Sequence, residues 1–334
     1  MSTERLSAAA LEGLVALALE KSNVAPAVAL SVARALVAAE ADGQKGHGLS
    51  RVASYSAQAR SGKVNGHASP IVRQPRAATL MIDVASGFAY PALDLAIERL
   101  PGLAASAGIA AAGFVRSHHC GVVGHHVERL AEQGLVALMF ANTPHAMAAW
   151  GGRRAVFGTN PIGFAMPRRN GAPLVIDMAL SEVARGKILA ASQKGEAIPL
   201  GWAVDASGTP TTDAKAALGG TLMPAGGVKG AALALMVELL AAALTGANFA
   251  TEASSFFDAE GPSPGVGQLL VVIDADGFAG RGIALDRFEA LATMIAADGA
   301  RLPGERRLKS RAAARDGISV DAKQIADIRA LAGA

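Results

Sequence analysis

The stretch Leu269-Leu-Val-Val-Ile-Asp274, followed by Ala-Asp-Gly277-Phe-Ala-Gly280-Arg-Gly282, decides the class of fold. An apolar strand leading into glycines is typical of a Rossmann domain, but that motif needs the spacing Gly-x-Gly-x-x-Gly and an acidic residue about 20 positions later. The glycines here do not follow that spacing, and no early strand–helix–strand unit surrounds them. Neither a Walker loop nor a Gly-x-Ser-x-Gly elbow is present. If a nucleotide binds this chain, the fold is not a Rossmann fold.

The rest of the chain predicts a mixed α/β fold, with helices at both ends and strands between them. Apolar residues recur at helical spacing over 11–18, 28–39, 287–297 and 321–331. Short apolar or β-branched segments bounded by Gly, Pro, Asn or Asp predict strands at 78–84, 135–141, 163–166, 173–176 and 269–273. Further helices are expected over 49–58, 184–193, 231–244 and 92–100, the last ended by Pro101. This order suggests that the two termini pack together.

The composition describes a globular chain with ample material for a core. Its 334 residues are 51% hydrophobic and 18% charged, which excludes intrinsic disorder. The mean hydropathy of +0.32 is carried mostly by alanine. The most apolar run, 231–245, is shorter than the roughly 20 residues of a spanning helix and contains Glu238. We therefore expect a buried core helix there and no membrane partner.

Charge and cysteine content narrow the partners and the compartment. The net charge is only +3, and aromatic residues make up 4%, so no nucleic-acid partner is expected. The basic segment 301–315 is interpreted as solvated or anion-binding. The single cysteine, Cys120, excludes an intramolecular disulfide and agrees with a reducing compartment. With no signal-peptide pattern at the amino terminus, we expect a cytoplasmic protein.

Three side chains near residue 50 predict a cleft for an anionic substrate. If the segment after Gly48 is helical, His47, Arg51 and Tyr55 are spaced by four and share one face. Arginine can bind a carboxylate bidentately, histidine titrates near neutrality and can exchange a proton, and the tyrosine would complete the substrate contacts. The alternative is a solvated helix face whose spacing is coincidental.

Two other patterns have both a functional and a structural interpretation. The pairs His118-His119 and His125-His126 do not match zinc-ligand spacing, so no metal is expected, and the alternative is structural histidines at a strand-to-helix turn. The glycine-rich stretches 226–230 and 303–307 each carry positive charge. Helix-start amides beside a Lys could hold a phosphate, although glycine-rich helix starts also occur without ligands.

Seven segments in this order resemble the type-2 malate/L-lactate dehydrogenase family, over nearly the whole chain. They are His47 to Arg51, Ser117 to Gly121, Trp150-Gly151-Gly152, Gly158-Thr159-Asn160-Pro161, Asp177-Met178 with Ser181 and Lys187, Gly227 to Gly230, and Leu302-Pro303-Gly304. The chain resembles most the branch of Δ1-piperideine-2-carboxylate/Δ1-pyrroline-2-carboxylate reductases.

The resemblance implies a fold and an assembly. It implies a non-Rossmann nicotinamide-binding sheet domain, assigned to 76–284, and a helical domain formed by both termini, assigned to 1–75 and 285–334. It also implies a homodimer with the active site near the subunit contacts.

Residue roles follow from the resemblance position by position. His47 resembles the acid/base histidine, Arg51 the clamp for the substrate carboxylate, and His119 the histidine lining the nicotinamide and substrate pocket, which makes it the rival proton donor. Asp177 resembles an aspartate proposed in the imine-reductase branch to support the histidine. The implied cofactor contacts are His119, Cys120, Gly121, Thr159, Asn160, Pro161, Ile176, Asp177, Met178, Ser181, Lys229, Gly230, Gly304, Glu305 and Arg306.

Two positions depart from the family pattern. Gly46 stands where the family often has Ser, so a proton relay through that hydroxyl would need Ser50, Tyr55 or water instead. Cys120 stands where larger residues are frequent, which predicts a wider pocket.

The expected function is NAD(P)H-dependent reduction of a small 2-imino or 2-oxo acid, with Δ1-pyrroline-2-carboxylate or Δ1-piperideine-2-carboxylate as the best specific substrate. Paired arginines favour NADPH, with NADH as the alternative. A 2-hydroxy-acid dehydrogenase acting on malate, L-lactate or ureidoglycolate is the second hypothesis. A metal- or anion-binding protein without catalysis is the third.

Overall fold

The computed structural model describes residues 2–334, and helices and strands alternate along this length. The helices are α1 (Ala8–Glu20), α2 (Pro26–Ala41), α3 (Val52–Ser61), α4 (Ala89–Ala107), α5 (Val123–Ala131), α6 (Arg185–Lys194), α7 (Ala214–Leu218), α8 (Val228–Glu238), α9 (Arg281–Ala297), α10 (Glu305–Ala313) and α11 (Ala322–Ala332). The strands are β1 (Thr3–Leu6), β2 (Ile71–Arg76), β3 (Thr79–Asp83), β4 (Ile109–Ser117), β5 (Val136–Ala141), β6 (Met147–Ala148), β7 (Ala155–Phe157), β8 (Ile162–Met166), β9 (Leu174–Met178), β10 (Ala203–Val204), β11 (Thr221–Leu222), β12 (Val266–Ile273) and β13 (Ile318–Asp321). The mixed α/β prediction is confirmed.

A seven-stranded sheet forms the centre of the fold, in the order β2-β3-β4-β12-β5-β8-β9. Only the β3–β4 pair is parallel, and the other neighbours are antiparallel. A Rossmann domain is built from parallel strands joined by helices. The prediction of a non-Rossmann fold is therefore confirmed.

The apolar stretch that begins at Leu269 forms most of β12, which lies between β4 and β5 in the sheet. Its residues Val266, Leu270 and Val272 are fully buried, which explains the continuous apolar run. After the strand, a Cβ on Gly277 would approach the Cα of Gly108 at 2.9 Å. Gly277 thus permits a close backbone contact with the end of α4 and is not part of a phosphate loop.

Both termini pack into one helical layer. Helices α1, α2, α3 and α11 share a buried apolar cluster, and β1 pairs antiparallel with β13, with Thr3 opposite Asp321. These two strands were not predicted, because each is only four residues long and half exposed. The boundary predicted at residue 75 falls inside β2, which pairs with β3 in the large sheet. The two-domain division itself stays a proposal.

A smaller sheet organises the region between β5 and β12. Its order is β10-β11-β6-β7, and it shares a separate apolar cluster with α6, α7 and α8. The sequence did not predict it, since its strands have only two or three residues and such lengths leave no period to detect.

The sequence predicted that helix α4 ends at Pro101. In the structure the helix continues to Ala107, with the proline inside it. Proline removes one helical hydrogen bond and costs about 3 kcal/mol in a helix interior. Leu100 and Ala104, on either side of it, are fully buried against the sheet. Their burial holds the helix together across the proline.

Helix α8 is only half buried, which corrects the expectation of a core helix over 231–244. Ala234 and Val237 are buried, but Leu235 and Leu239 are exposed. The run ends in a π-helical turn, Leu239–Ala243. None of the helices in residues 2–334 combines the length and apolarity needed to cross a membrane.

Candidate active site

His47 and His119 lie face to face in the structure. Their ring centroids are 5.2 Å apart and the ring planes are inclined by 20°. His119 comes two residues after β4, in the middle of the large sheet, and His47 ends a short 3-10 turn, Lys45–His47, that follows α2. The sheet and the terminal helical layer therefore meet at this pair.

His47, Arg51 and Tyr55 do come together, but they do not share one helix face as predicted. Gly48 has a non-helical backbone, and a 3-10 turn, Leu49–Arg51, separates it from the start of α3 at Val52. The reason is packing: a Cβ on Gly48 would lie 2.4 Å from the Glu40 carboxylate oxygen, and that carboxylate accepts a hydrogen bond from the Leu49 N–H. His47 thus reaches the site from a separate turn.

Tyr55 was predicted to contact the substrate, but the structure buries it completely. Its hydroxyl lies 2.6 Å from Nδ1 of His119 and 3.1 Å from the hydroxyl of Tyr90. Burial raises the pKa of Tyr55 to about 12 and that of Tyr90 well above its usual value, so both keep their protons. Tyr55 therefore supports His119 from behind and does not line the cleft.

The two tyrosines determine which nitrogen of His119 carries the proton. If Tyr90 donates to Tyr55 and Tyr55 donates to Nδ1, every proton in the chain has an acceptor. The opposite direction would leave the buried Tyr90 hydroxyl without an acceptor, which costs about 1–3 kcal/mol. We therefore assign His119 the tautomer with its proton on Nε2.

Tyr90 is a site residue that the sequence did not reveal. It lies on α4, 35 positions from Tyr55, and it fits only because residue 121 is glycine: a Cβ there would lie 2.6 Å from its hydroxyl. Gly121 also has a φ of +69°, a conformation that favours glycine. The feature of the sequence that indicated a close neighbour here was Gly121, at the end of the segment from Ser117 to Gly121.

Arg51 lies close enough to the histidine pair for its charge to act on both rings. Its Nε donates to the carbonyl of Gly46 at 2.8 Å, and its guanidinium carbon lies 4.7 Å from the ring centre of Phe257. The two terminal nitrogens remain for a ligand.

Burial and the Arg51 charge keep both histidines neutral. Burial, followed by the charge of Arg51, lowers the pKa of His47 to about 4. Burial and Arg51 also lower the pKa of His119 well below its ordinary value. The expectation of an unperturbed His47 titrating near neutrality is therefore wrong for the free protein. A bound carboxylate would add the opposite charge beside the rings and raise both pKa values.

Asp177 is anchored at the start of α5. Its Oδ2 accepts from the Gly124 N–H at 3.2 Å, and a Cβ on Gly124 would come within 2.9 Å of the Asp177 Cβ. Burial raises the pKa of Asp177, while the Gly124 N–H and the Gln44 side chain lower it. Gln44 directly precedes the turn that carries His47, so Asp177 is connected to the histidine through that turn.

Gly46 and Cys120 differ from the family pattern, and the structure shows a different consequence at each position. The position of a Cβ on Gly46 is open, with no neighbouring atom within 4 Å. Ser50 does not replace the missing hydroxyl, because it donates to the Lys45 carbonyl. Cys120 packs in the core of the large sheet, and burial raises its thiol pKa to about 12. It fills the core and does not widen the pocket.

Several of the predicted cofactor segments are joined by hydrogen bonds. The Leu180 N–H donates to the Thr159 carbonyl, and the Ala225 N–H donates to the Leu180 carbonyl. Asn160 donates from Nδ2 to Glu238 and to the Ala234 carbonyl on α8. Strand β9, which carries Ile176 and Asp177 and ends at the exposed Met178, pairs with β8 just after Pro161. Ser181 is buried beside Pro224, with which it forms a β-bridge.

The start of α8 fits a phosphate. Gly226 and Gly227 both have positive φ, +65° and +67°, and they lead into the first helical turn. The first N–H groups of a helix have no partner within it and attract anions. Lys229 is exposed beside them, and Gly230 allows the tight turn, since a Cβ there would collide with the Ala225 backbone.

The segment at the start of α10 divides into a part near β9 and a part bound elsewhere. Gly304 lies against β9, where a Cβ would be 3.2 Å from the Val175 carbonyl. Glu305 accepts from the Leu302 N–H of its own loop, and Arg306 is exposed. The interpretation of the segment 301–315 as solvated holds for Arg301, Lys309 and Arg315, which are exposed. It does not hold for two other arginines of the segment, which are paired with carboxylates. Arg307 and Arg311 bind Asp42 and Glu128.

Two of the other histidines in the paired motif have structural hydrogen-bond partners. His118 is hydrogen-bonded through Nε2 to Gln58 at 2.7 Å, and His126 through Nε2 to the Cys120 carbonyl at 2.8 Å. Within residues 2–334, no group of three or more His, Cys, Asp or Glu side chains is placed to hold a metal ion.

Comparison with known proteins adds to this geometry. The malate/L-lactate dehydrogenase family model matches residues 6–329. A (2R)-3-sulfolactate dehydrogenase (NADP(+)) of Chromohalobacter salexigens is 48% identical over 326 residues, which cover 96% of each chain. A Delta(1)-pyrroline-2-carboxylate/Delta(1)-piperideine-2-carboxylate reductase of Pseudomonas putida is 41% identical over 97% of this chain and 95% of that protein. The crystal structure of the delta1-piperideine-2-carboxylate reductase of Pseudomonas syringae pvar. tomato superposes with a TM-score of 0.93, at 39% identity, over 98% of this chain and 100% of that one.

The fold, the site and these matches define the class: the protein is an NAD(P)-dependent oxidoreductase with a non-Rossmann sheet. The chain belongs to the malate/L-lactate dehydrogenase family. This membership removes the hypothesis of a binding protein without catalysis.

Proposed function

We propose that this protein reduces a small 2-imino or 2-oxo acid with NADPH. The best specific substrates are Δ1-pyrroline-2-carboxylate and Δ1-piperideine-2-carboxylate, which would yield L-proline and L-pipecolate. The observation that carries the proposal is the guanidinium of Arg51 beside the stacked pair His47 and His119. This reaction requires a cation that binds the substrate carboxylate and a histidine that donates a proton to the adjacent nitrogen or oxygen.

Arg51 binds the substrate carboxylate in this proposal. Since its Nε is occupied by the Gly46 carbonyl, the two terminal nitrogens form the bidentate contact. The Phe257 ring under the guanidinium holds its plane.

His119 is the better prepared of the two histidines to give the proton. The hydrogen bond from Tyr55 to Nδ1 places the proton on Nε2 and fixes the ring. Once the bound carboxylate has raised the pKa of His119, the ring takes up a second proton on Nδ1, which the Tyr55 oxygen then accepts in a hydrogen bond. Nε2 passes its proton to the nitrogen or oxygen next to the carbon being reduced, and the ring returns to its neutral form. The Nδ1 of His47 is buried without a partner, so that ring is less fixed, and it packs against His119 as the alternative donor.

The cofactor supplies the hydride when it is bound. In this chain the helix-start amides of α8 and Lys229 would hold its phosphates, and Thr159, Asn160 and Ser181 would lie alongside. NADPH is favoured over NADH because Arg306 is exposed beside Gly304 and because the sulfolactate dehydrogenase relative carries NADP(+) in its name.

A second candidate function is 2-hydroxy-acid dehydrogenation. It is favoured by the 48% identity with the (2R)-3-sulfolactate dehydrogenase. The carboxylate clamp and the histidine pair would serve C=O as well as C=N, so malate, L-lactate and ureidoglycolate remain in this alternative beside sulfolactate.

We propose a homodimer as the assembly and the cytoplasm as the location. Exposed apolar side chains on two helices support the dimer, with Leu235 and Leu239 on α8 and its π-turn and Leu291 and Met294 on α9. The single cysteine supports a reducing compartment.

The test is a substrate panel. The purified protein is assayed with cyclic imines and 2-oxo acids, including the 2-oxo acid of sulfolactate, each with NADH and with NADPH. The expected result is the highest kcat/KM for a cyclic 2-imino acid with NADPH. Reduction of 2-oxo acids without reduction of any cyclic imine would favour the second candidate, and no oxidation of either cofactor with any substrate would overturn both.

A further inference from the structure

The segment 249–262, which connects the end of the α8 region to β12, lies against the catalytic side chains. The Phe256 ring centre is 5.1 Å from that of His119 and 5.4 Å from that of His118. The next residue, Phe257, stacks under Arg51 at 4.7 Å. Phe256 is buried, but 53% of Phe257 is exposed. A large aromatic ring left exposed beside the carboxylate-binding guanidinium requires an explanation.

Two buried side chains on or just after α3 hold this segment in place. The amino group of Lys63 binds the Ser255 carbonyl at 2.7 Å, the Asp258 carbonyl at 3.1 Å and the Asp258 carboxylate at 3.0 Å. The Lys63 side chain is only 1% exposed. Burying an amino group costs free energy unless all its protons are bonded, and the segment supplies three partners.

Gln58 connects the same segment to the histidines. Its Nε2 donates to the Phe256 carbonyl at 2.8 Å, while its Oε1 lies 2.7 Å from Nε2 of His118. The position of the two phenylalanines is therefore fixed relative to β4, the strand that leads to His119. The aromatic pair is a rigid part of the site and not a loose surface loop.

We propose that Phe257, backed by Phe256, forms the subsite for the substrate's side chain and selects an apolar or cationic group over a second anionic group. This inference rests on the proposed function. A carboxylate on the terminal nitrogens of Arg51 places the rest of the substrate next to the Phe257 ring. The face of an aromatic ring carries partial negative charge, which attracts cations and disfavours anions. The CH2 groups of a cyclic imine match this subsite, and a sulfonate does not.

The test compares two substrates in the full-length enzyme. The ratio of kcat/KM for Δ1-piperideine-2-carboxylate to kcat/KM for the 2-oxo acid of 3-sulfolactate is measured with NADPH. The wild type should favour the imine. Phe257→Lys places a cation in the subsite, so it should lower the imine value about 10-fold and raise the sulfonate value, shifting the ratio by roughly 100-fold in total.

Two further variants keep the test decisive. Phe249→Lys is the matched control, since Phe249 is an exposed phenylalanine of the same segment without a ring contact to Arg51, and it should leave the ratio unchanged. Phe257→Leu keeps apolar volume but removes the aromatic face, so it should raise the sulfonate value about 3-fold and lower the ratio by the same factor. This variant replaces the lysine variant if that one fails to fold.

The outcomes separate this inference from the proposed function. A wild-type preference for the sulfonate, or an unchanged ratio in both Phe257 variants while both substrates turn over, would overturn the subsite and leave the reductase assignment standing. Absence of turnover with either substrate would overturn the proposed function and the subsite with it.

Discussion

At the scale of single residues, Arg51 is the simplest test of the carboxylate site. Arg51→Lys keeps the charge but removes the fork of two terminal nitrogens and the planar group over Phe257. We expect a loss in kcat/KM of roughly 1.5–3 kcal/mol, with the folded structure intact. Steady-state kinetics beside a thermal melt measures both, and wild-type kcat/KM in the lysine variant would remove Arg51 from the site.

Tyr55 should act through His119 and not on the substrate. Tyr55→Phe removes the donor to Nδ1 and frees the histidine tautomer, so we expect kcat to fall about 10-fold with little change in the KM for substrate. Tyr90→Phe is the matched comparison, because it removes the next hydroxyl in the chain and should have a smaller effect. A rise in KM without a fall in kcat in Tyr55→Phe would mean that the hydroxyl contacts the substrate after all.

At the scale of elements, four charged side chains join α10 to the end of α2 and to α5. Arg307 contacts Asp42 at 3.1 Å and Glu128 at 2.6 Å, and Arg311 contacts the same two carboxylates at 2.7 Å each. Burial acts to raise the pKa of Glu128, but the hydrogen bonds from both arginines hold it below the usual value. The cluster therefore fixes α10, whose first residues lie at the cofactor segments.

Removing one arginine leaves buried carboxylates without full compensation. We expect Arg307→Met to lower the free energy of unfolding by about 3 kcal/mol. Arg315→Met, at an exposed position of the same basic run, is the control and should change it by less than about 0.5 kcal/mol. Urea unfolding measures both, and equal midpoints for the two variants would contradict the structural role of the cluster.

The cluster also shows what sequence could and could not predict. The long periodic helices and the strand that became β12 were predictable because burial on one or both faces leaves a pattern in the residues themselves. The pairing of Arg307 with Asp42 and Glu128, and of Tyr55 with Tyr90, was not, because the partners are far apart in sequence. The motif containing His47 was found, but its helix was wrong, since Glu40 and Gly48 determine that turn through packing.

At the scale of the whole molecule, buried histidines should make the protein sensitive to acid. Burial lowers the pKa of His47 to about 4 and of His118 and His126 to about 3. The folded state therefore binds fewer protons than the unfolded state, in which histidines titrate near 6.5. Stability should be full above pH 6.5 and fall as the pH decreases towards 4, by up to about 1.4 kcal/mol per pH unit for each histidine.

Urea unfolding midpoints measured between pH 7.5 and 4.5 test whether stability falls as the pH decreases. His126→Gln keeps a donor for the Cys120 carbonyl and removes one titrating group, so its stability should depend less steeply on pH. A midpoint that rises as the pH falls through this window would contradict the assigned burial.

The assembly can be measured at the same scale. The exposed apolar positions on α8 and α9 predict a homodimer at micromolar concentration. Sedimentation velocity of the active protein should give about twice the 33.6 kDa of one chain. A fully active species at the mass of one chain would rule the dimer out.

Isotope labelling can follow the hydride from the cofactor to the substrate. The enzyme is incubated with Δ1-piperideine-2-carboxylate and NADPH deuterated at C4 of the nicotinamide on each face in turn, and the product is analysed by mass spectrometry and chiral chromatography. We expect L-pipecolate carrying one deuterium at C2 from one of the two cofactors, with formation slowed at least about 100-fold in His119→Asn. Unlabelled product with both cofactors, or no product from this or any other 2-imino or 2-oxo acid, would contradict it.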